Sequence, residues 1–166
     1  MNQQIVVSGI GGQGVLFLTR VIAQAAVDQG IPVLTSESHG MAQRGGTVLS
    51  TLKIGDFAAP LIRTGQADVA LFLWEANLPV HLPLLKSDGD ILINSGVTGD
   101  GERIDASTIA RQMGKAVLAN LVLLGRAVNT RALFCSEGQC LAAIEKLAPA
   151  RFVDQNLQAF QAGMRN

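Results

Sequence analysis

Apolar and polar residues come in blocks along this chain, and each block has the length of one secondary-structure element. Residues 4–8 form a short β-branched run, and residues 15–29 repeat their apolar positions at helical spacing. Gly30 is placed to end that helix, and residues 31–35 form a second apolar run. The pattern predicts a strand, a glycine-rich loop, a helix and a second strand, which is the composition of one βαβ unit.

The remaining sequence continues this alternation of strands and helices. An α/β pattern of this kind predicts a three-layer Rossmann-like sandwich with a mostly parallel sheet, and the length predicts a single domain over residues 1–166. Further strands are predicted at 47–54, 67–74 and 91–94, and loops at 36–46 and 95–103. Residues 78–85 predict a short helix or two turns, and residues 87–90 a turn. Helices are predicted at 105–113 (capped by Asp105 or Ser107), 116–128, 136–147 and 151–163.

Composition narrows the class of protein. Hydrophobic residues make up 48% of the chain and charged residues 16%, a balance typical of a protein that hides part of its surface against a partner. The 13 basic and 13 acidic residues cancel, so nothing favours a nucleic-acid partner. The first residues do not resemble a signal peptide, and no apolar stretch is long enough to cross a membrane. We therefore expect a cytoplasmic protein.

The residues that commonly bind metals are few. Cys135 and Cys140, the two cysteines, cannot supply four thiolates to an iron–sulfur cluster or a zinc ion. His39 and His81 lie far apart and lack the spacing of metal ligands. We expect buried, reduced thiols and no metal site in this chain.

A glycine-rich motif follows the first predicted strand. Gly9, Gly11 and Gly14 fit the pattern G-x-G-x-x-G, and Glu37 lies where a dinucleotide fold would place its ribose-binding acid. Two interpretations stay open. The loop can hold a phosphate at the start of the helix, or it can let the helix pack closely on the sheet and receive a partner's side chain. The alternative function is therefore a stand-alone reductase or sensor that binds NAD or FAD.

A second run changes the interpretation. Residues 36–46 read Ser-Glu-Ser-His-Gly-Met-Ala-Gln-Arg-Gly-Gly, and together with residues 9–14 they resemble the gamma-type subunit of 2-oxoacid:ferredoxin oxidoreductases. Within that family the chain is most similar to the beta-subunit branch of indolepyruvate ferredoxin oxidoreductase. The resemblance continues through residues 60–62, 67–69, 120–125 and 156–163. The chain is shorter than this branch leads us to expect, and residues 95–106 look abbreviated.

The resemblance implies a division of labour. Such enzymes oxidatively decarboxylate a 2-oxoacid, here an aryl pyruvate such as indolepyruvate, and transfer the acyl group to coenzyme A. Thiamine diphosphate and the iron–sulfur clusters are expected in a larger partner subunit, and ferredoxin is reached through the complex. Gly99-Asp100-Gly101 is the nearest match to a thiamine motif, but the paired asparagines that should follow are missing. We expect this chain to bind no cofactor alone and to be inactive in isolation.

No residue of this chain is assigned a certain catalytic role. Arg44 is the strongest candidate, because its guanidinium can hold a coenzyme A phosphate, the 2-oxoacid carboxylate or an acid of the partner; an intrachain pair with Glu37 is the alternative. Coenzyme A can then bind at the interface, and the isolated chain can use the same surface to form a homodimer. The candidate ligand or interface loops comprise Gly9, Gly11, Gly12, Gln13, Gly14, Glu37, His39, Gln43, Arg44, Gly45 and Gly46.

The side chains in these loops have different expected roles. Gln13 and Gln43 can orient a ligand or the partner's backbone, His39 is a hydrogen-bonding element rather than a catalytic base, and Met41 suits a subunit contact. Outside the loops, Glu75 can line the same crevice or sit at a helix start, and Asn120 can cap its helix or reach the crevice.

Overall fold

The structure, a computed structural model, describes residues 1–39 and 46–166. Its centre is a six-stranded sheet in the order β2-β3-β1-β4-β5-β6. Only β3 runs against the other described strands, so the sheet is mixed but mostly parallel, as predicted. The strands are β1 (Gln3–Ile10), β2 (Val33–His39), β3 (Thr47–Ile54), β4 (Ala67–Phe72), β5 (Leu85–Asn94) and β6 (Glu102–Ile104).

The predicted βαβ unit is present with one strand inserted. Helix α1 (Val15–Val27) connects β1 to β2, and the two strands run in the same direction. They are not neighbours, because β3 lies between them and pairs with β1 along its whole length, from Gln3 opposite Ile54 to Ile10 opposite Thr47. Strand β3 therefore begins beside the glycine-rich end of β1 and runs away from it.

The two faces of the sheet are covered unequally. Five helices cover one face, and the apolar side chains of α1 and α4 pack there on Ile5, Val7 and Leu71. The other face has a smaller core around Val6 and Phe72, covered by α2 (Leu78–His81), its flanking 3-10 turns and the segment before β4. The remaining helices are α3 (Ala106–Gln112), α4 (Ala119–Asn129), α5 (Glu137–Leu147) and α6 (Val153–Arg165).

We call the sparsely covered side the thin face. Its outer layer leaves Leu61 69%, Val80 68% and Leu82 41% exposed, although each is apolar. Exposed apolar clusters of this kind commonly mark protein contacts. In the described part of the chain, no helix has the length and apolar character that crossing a bilayer requires.

Three local predictions were wrong. Residues 36–39 belong to β2 rather than to a loop, because they pair with β3. Residues 87–90 lie inside β5 rather than in a turn, and the register of β5 against β4 shifts there, with Gly89 packed against Leu85. Residues 102–104 form β6, a short edge strand that was not predicted. In each case backbone pairing gives a polar segment its structure, which hydropathy alone does not reveal.

The two cysteines lie at the start of α5. Ser136 caps this helix, and its hydroxyl and amide exchange hydrogen bonds with the amide and side chain of Gln139. Cys135 precedes the cap and Cys140 is the fourth helical residue, which are the two positions of a hydrophobic staple. Their Sγ atoms are 3.3 Å apart and both side chains are buried, so the prediction of buried free thiols is confirmed.

Helices α4 and α6 approach each other through two glycines. A Cβ atom on Gly163 would lie 1.9 Å from the carbonyl oxygen of Val122, and one on Gly125 would lie 2.0 Å from the carbonyl oxygen of Phe160. Because both neighbours are backbone atoms, neither can move aside without shifting a helix. The close crossing of α4 and α6 therefore depends on these glycines.

We predict that Gly163→Ala lowers the free energy of unfolding by about 2 kcal/mol or more, because the helices must separate. Gly138→Ala is the matched control, since this helical glycine of α5 has nothing within 4 Å of the added Cβ. The control should leave stability unchanged or raise it slightly. Urea denaturation measures both, and equal midpoints for the two variants would contradict the prediction.

Candidate functional site

A long groove runs across the carboxyl ends of β1, β4 and β5. It consists of three adjoining hollows of about 390, 140 and 400 Å³. The first lies over the glycine loop, the second between that loop and α3, and the third beside the residues after β4 and β5. Gly12 and Val117 line the first two hollows, whereas Leu73, Ser107 and Arg111 line the last two. This carboxyl-end groove is where parallel α/β sheets place ligands.

The glycines of the motif are required mainly by packing. A Cβ atom on Gly9 would lie 2.7 Å from Val15 and 2.9 Å from the side chain of Gln13. Gly14 has a φ of +74°, and its Cβ would lie 2.4 Å from the side chain of Asn120. Gly12, with a φ of +91°, faces open space and is required for the turn alone. Of the two interpretations left open, close helix packing therefore explains Gly9 and Gly14.

Gln13 holds the loop in shape. Its side-chain oxygen accepts a hydrogen bond from the Ile10 amide at 2.9 Å, and its side-chain nitrogen donates to the carbonyl of Leu73 at 3.1 Å. Both ends of its side-chain amide thus bond inside the chain, and its role in orienting a ligand stays a prediction. Its role in the structure is to join the end of β1 to the end of β4.

The carbonyl of Leu73 is shared by two side chains. Asn94, at the end of β5, also donates to it, at 3.1 Å. The same Asn94 side chain donates to the hydroxyl of Ser107 at 2.8 Å and accepts from the Ser107 amide at 3.0 Å. One buried carbonyl thus connects the glycine loop, two strand ends and the start of α3.

Asn120 joins the glycine loop to the start of α4, where its side-chain oxygen accepts a hydrogen bond from the Leu121 amide at 2.7 Å. Its side-chain nitrogen donates to the carbonyl of Gly14 at 3.1 Å, although it lies at the start of α4. The cap of α3 is formed by Asp105, whose side chain accepts from the Thr108 amide at 2.9 Å. The hydrogen bond from Thr108 is the main reason that the pKa of Asp105 is lowered.

The two sequence runs meet at one point of the described structure. The amide of Gly11 donates to the carbonyl of Gly46 at 3.0 Å. His39 lies opposite Val48 on β3, and Val48 lies opposite Gly9 on β1. Glu37 is exposed on β2. The predicted residues Gly40, Met41, Gln43, Arg44 and Gly45 lie outside the described residues, so their roles stay predictions.

The far end of the groove contains a charged cluster. Glu75 accepts a hydrogen bond from the Ser95 hydroxyl at 2.7 Å and pairs with Arg103 at 2.6 Å. The hydrogen bond from Ser95, and then that from Arg103, lowers the pKa of Glu75. Arg103 also donates to the carbonyls of Val97 and Asp100. Glu75 therefore lines the groove, as one alternative proposed, but its contacts hold the 95–101 loop in place.

Arg111 is the cation best placed along the groove. It is exposed, lines two of the three hollows, and donates to the hydroxyl of Thr108 at 2.7 Å. In the described part of the chain, no carboxylate lies within ion-pair distance of it. A guanidinium in this setting can bind a phosphate or a carboxylate.

A buried polar cluster lies beneath the glycine loop on the thin face. Asn77 donates to the Ser8 hydroxyl at 3.0 Å and to the Gly9 carbonyl at 2.8 Å. The Ser8 hydroxyl lies 2.7 Å from Nδ1 of His81. Either group can donate in that contact, depending on the tautomer of the imidazole ring. Burial of the ring lowers the pKa of His81.

Several of these residues were not predicted. Asn94 and Ser107 flank a predicted loop, and a polar residue that directly ends an apolar strand was the available signal. His81 gave no spacing signal, because its partner Ser8 is 73 positions away. The topology of the sheet brings these groups together, not their order in the sequence.

The residues present do not fit thiamine diphosphate. The carbonyl of Asp100 accepts from Arg103 at 3.0 Å, and Gly101 has a φ of +82°, so Gly99-Asp100-Gly101 forms a surface turn. The two thiols contact each other in the core and face no open site. Among the described residues, no group of three or more His, Cys, Asp and Glu side chains could hold a metal ion.

Comparison with known proteins identifies the family. The family model for pyruvate ferredoxin/flavodoxin oxidoreductase matches residues 4–166. The chain belongs to this family. It is a gamma-type subunit of a 2-oxoacid:ferredoxin oxidoreductase, as the sequence resemblance implied. It is similar to the indolepyruvate oxidoreductase subunit IorB of Archaeoglobus fulgidus, with 32% identity over 98% of this chain and 94% of the relative. The IorB subunit of Methanothermobacter thermautotrophicus is 29% identical over 98% of this chain and 96% of that relative.

Solved structures of the family have the same fold. The gamma subunit of a keto/oxoacid ferredoxin oxidoreductase from Geobacter sulfurreducens superposes with a TM-score of 0.80 at 29% identity, covering 98% of this chain and 96% of that one. A pyruvate oxidoreductase subunit from Thermotoga maritima gives 0.82 at 26% identity, covering 99% and 96%. The alignments with the IorB subunits run over 189 positions, against 166 residues here, so these family members carry insertions relative to this chain.

We predict that Gln13→Leu lowers the free energy of unfolding by about 1–3 kcal/mol, because the Ile10 amide loses its acceptor. Gln24→Leu, on the same helix, is the matched control, since Gln24 bonds only to the exposed Asp28 side chain. Urea denaturation gives the stability, and amide hydrogen exchange at residues 10–14 should accelerate in the Gln13 variant alone. Unchanged exchange in that loop would contradict the role assigned to Gln13.

We predict that His81 makes stability depend on pH. Its folded-state pKa lies below the unfolded value, so the unfolded chain binds the proton first on acidification. The neutral ring makes its full contribution to the free energy of unfolding at pH values above the unfolded pKa of about 6.5. This contribution decreases as the pH falls below that value. His81→Asn keeps an acceptor near Nδ1 but does not titrate. The measurement is the free energy of unfolding at pH 7.5 and at about pH 5, where most carboxyl groups remain ionised. The stability lost between these two pH values should be smaller in the variant than in the unsubstituted chain. Equal losses in the two proteins would contradict the prediction.

Proposed function

We propose that this chain is the subunit without cofactors of a larger oxidoreductase. The complex depends on thiamine diphosphate and iron–sulfur clusters, and it oxidatively decarboxylates an aryl pyruvate such as indolepyruvate. Overall, a 2-oxoacid, coenzyme A and two oxidised ferredoxins give acyl-coenzyme A, carbon dioxide, a proton and two reduced ferredoxins. Thiamine diphosphate, held by the larger subunit, supplies the carbon–carbon bond cleavage. In this proposal, the chain contributes a binding surface to that chemistry.

The pattern of relatives is the observation that carries the substrate class. Identity reaches 32% and 29% with IorB subunits over nearly the whole chain. With 2-oxoglutarate synthase subunits KorC of the two Methanothermobacter species it is 24%. A substrate with an aromatic side chain is therefore favoured over one with a second carboxylate.

Coenzyme A is the ligand that we assign to the carboxyl-end groove. The groove begins at the first amides of α1 and continues to Arg111. These amides precede the first hydrogen bond of the helix, in which the Leu18 amide donates to the Gly14 carbonyl. Amides and a guanidinium are donors that suit phosphate groups. A structure of 2-oxoglutarate:ferredoxin oxidoreductase from Magnetococcus marinus with coenzyme A bound has this fold at a TM-score of 0.78 and 22% identity, and this chain covers 30% of that longer one.

Arg44, which lies outside the described residues, remains part of this proposal on the evidence of the sequence. It can contact a coenzyme A phosphate, the 2-oxoacid carboxylate or an acid of the larger subunit. The variant Arg44→Gln separates these roles in a reconstituted complex. It would raise the KM for coenzyme A if Arg44 binds the phosphate, and the KM for the oxoacid if Arg44 binds the carboxylate. It would weaken assembly if Arg44 pairs with the larger subunit.

The thin face is the surface that we assign to the larger subunit. The ketoisovalerate oxidoreductase subunit VorA of Methanothermobacter thermautotrophicus matches 96% of this chain at 30% identity, but the match is only 35% of that protein. In such relatives this domain shares one polypeptide with other parts of the enzyme. The exposed side chains Leu61, Val80 and Leu82 supply the apolar surface that a stable subunit contact requires.

We predict that the purified chain alone does not reduce ferredoxin with any 2-oxoacid, and that activity appears on reconstitution with the larger subunit. Within the complex, kcat/KM should be higher for indolepyruvate than for 2-oxoglutarate. Ferredoxin reduction under anaerobic conditions measures both. Turnover by the isolated chain, together with micromolar binding of NADH or FAD in calorimetry, would favour the alternative of a stand-alone reductase.

We predict that Val80→Lys weakens association with the larger subunit by about tenfold or more, because the lysine would be buried without a partner. The isolated variant should keep its stability within about 0.5 kcal/mol, since Val80 is exposed. Val27→Lys is the matched control, at a valine that is 56% exposed at the far end of α1. Equal affinities for the two variants, measured by interferometry, would place the interface elsewhere.

A further inference from the structure

A separate apolar slot of about 360 Å³ opens beside the carboxyl-end groove. Its walls come from four elements: Phe17 of α1, Leu118 before α4, Pro149 and Phe152 of the turn before α6, and Asn156 of α6 itself. Val117 lines the slot as well as the groove, so the two cavities adjoin. A volume of this size is in the range of small-molecule sites, and its lining is mostly apolar.

Hydrogen bonds to neighbouring elements fix the walls of this slot. Gln155 of α6 donates to the carbonyl of Met113 at 3.0 Å, which ties α6 to the segment that contains Lys115. Asn120, at the inner end of the slot, donates to Gly14. The elements that form the slot are therefore held together by contacts that do not depend on a ligand.

Two cations contact Phe152, a wall residue of the slot: Lys115, which itself lines the slot, and Arg151, the chain neighbour of Phe152. Nζ of Lys115 is 3.7 Å from the centre of the Phe152 ring, and Cζ of Arg151 is 4.6 Å from it. Among the described residues, no carboxylate oxygen lies within 4 Å of either cation. The ring face attracts both cations but carries no charge to neutralise them. The slot thus combines apolar walls with the positive charge of Lys115, and Arg151 adds a second cation against the wall residue Phe152.

We propose that this slot binds a small anion that carries a flat ring. The ligand's ring would pack on the apolar wall that includes Phe17 and Leu118, and its anionic group would pair with Lys115 and with Arg151 beside Phe152. Two kinds of molecule have this chemistry: an aryl carboxylate and a purine nucleotide. This slot is a different site from the groove to which coenzyme A is assigned. Binding to the slot can be measured on the full chain alone, in an experiment that does not require enzymatic activity.

Calorimetric titration of the full chain tests the proposal with two probes and their neutral analogues. Indole-3-acetate is compared with indole-3-acetamide, and adenosine monophosphate with adenosine. We expect one of the anions to bind with one-to-one stoichiometry and its neutral analogue to bind about tenfold more weakly or worse. The anion that binds identifies the kind of ligand, and binding of both supports the shared chemistry.

Variants show whether the slot is responsible. Lys115→Gln and Arg151→Gln should each raise the Kd of the bound anion by about tenfold, since each removes a charge-assisted contact. Arg165→Gln, at the other end of α6, is the matched control and should leave the Kd unchanged. Circular dichroism and thermal unfolding establish that each variant is folded. Absence of binding by both anions at millimolar concentration, or binding that is insensitive to Lys115 and Arg151, would overturn the proposal.

Discussion

The geometry of the groove depends on one buried carbonyl group, that of Leu73. It follows the central parallel strand β4 and accepts hydrogen bonds from the side-chain amides of Gln13 and Asn94. A buried carbonyl without donors is costly, and each of these bonds contributes on the order of 1 kcal/mol to stability. Their greater effect is geometric, because Gln13 sets the glycine loop and Asn94 sets the start of α3. Both walls of the groove are thereby positioned from one atom.

Contacts inside the chain account for two glycines of the nucleotide-like motif. Gly9 and Gly14 are required by contacts with Gln13, Val15 and Asn120 inside the chain. The remaining donors along the groove are the first amides of α1 and the exposed Arg111. Donors of this kind can bind an anionic group that another subunit helps to hold, and they perform no covalent step. The geometry is that of a prepared binding surface, which suits a subunit of a 2-oxoacid:ferredoxin oxidoreductase.

The sequence predicted most of this fold, and the reasons for its failures are physical. Strands β1, β3 and β4 have apolar runs because they are buried, so hydropathy located them. Residues 36–39 and 102–104 are polar, and only pairing with a neighbouring strand gives them structure. In the site, the glycine motif was visible as a pattern of residue types. The roles of Asn94, Ser107 and His81 were not, because they depend on which strand ends the topology brings together.

The most direct test of the account is hydrogen–deuterium exchange on the reconstituted complex, with and without coenzyme A. The account predicts that coenzyme A adds protection at residues 11–17 and 107–117, which line the groove, and none at residues 135–147, which form the start and body of α5. Added protection confined to the larger subunit, or equal protection at α5 and the groove, would contradict the claim that this chain contributes a prepared binding surface.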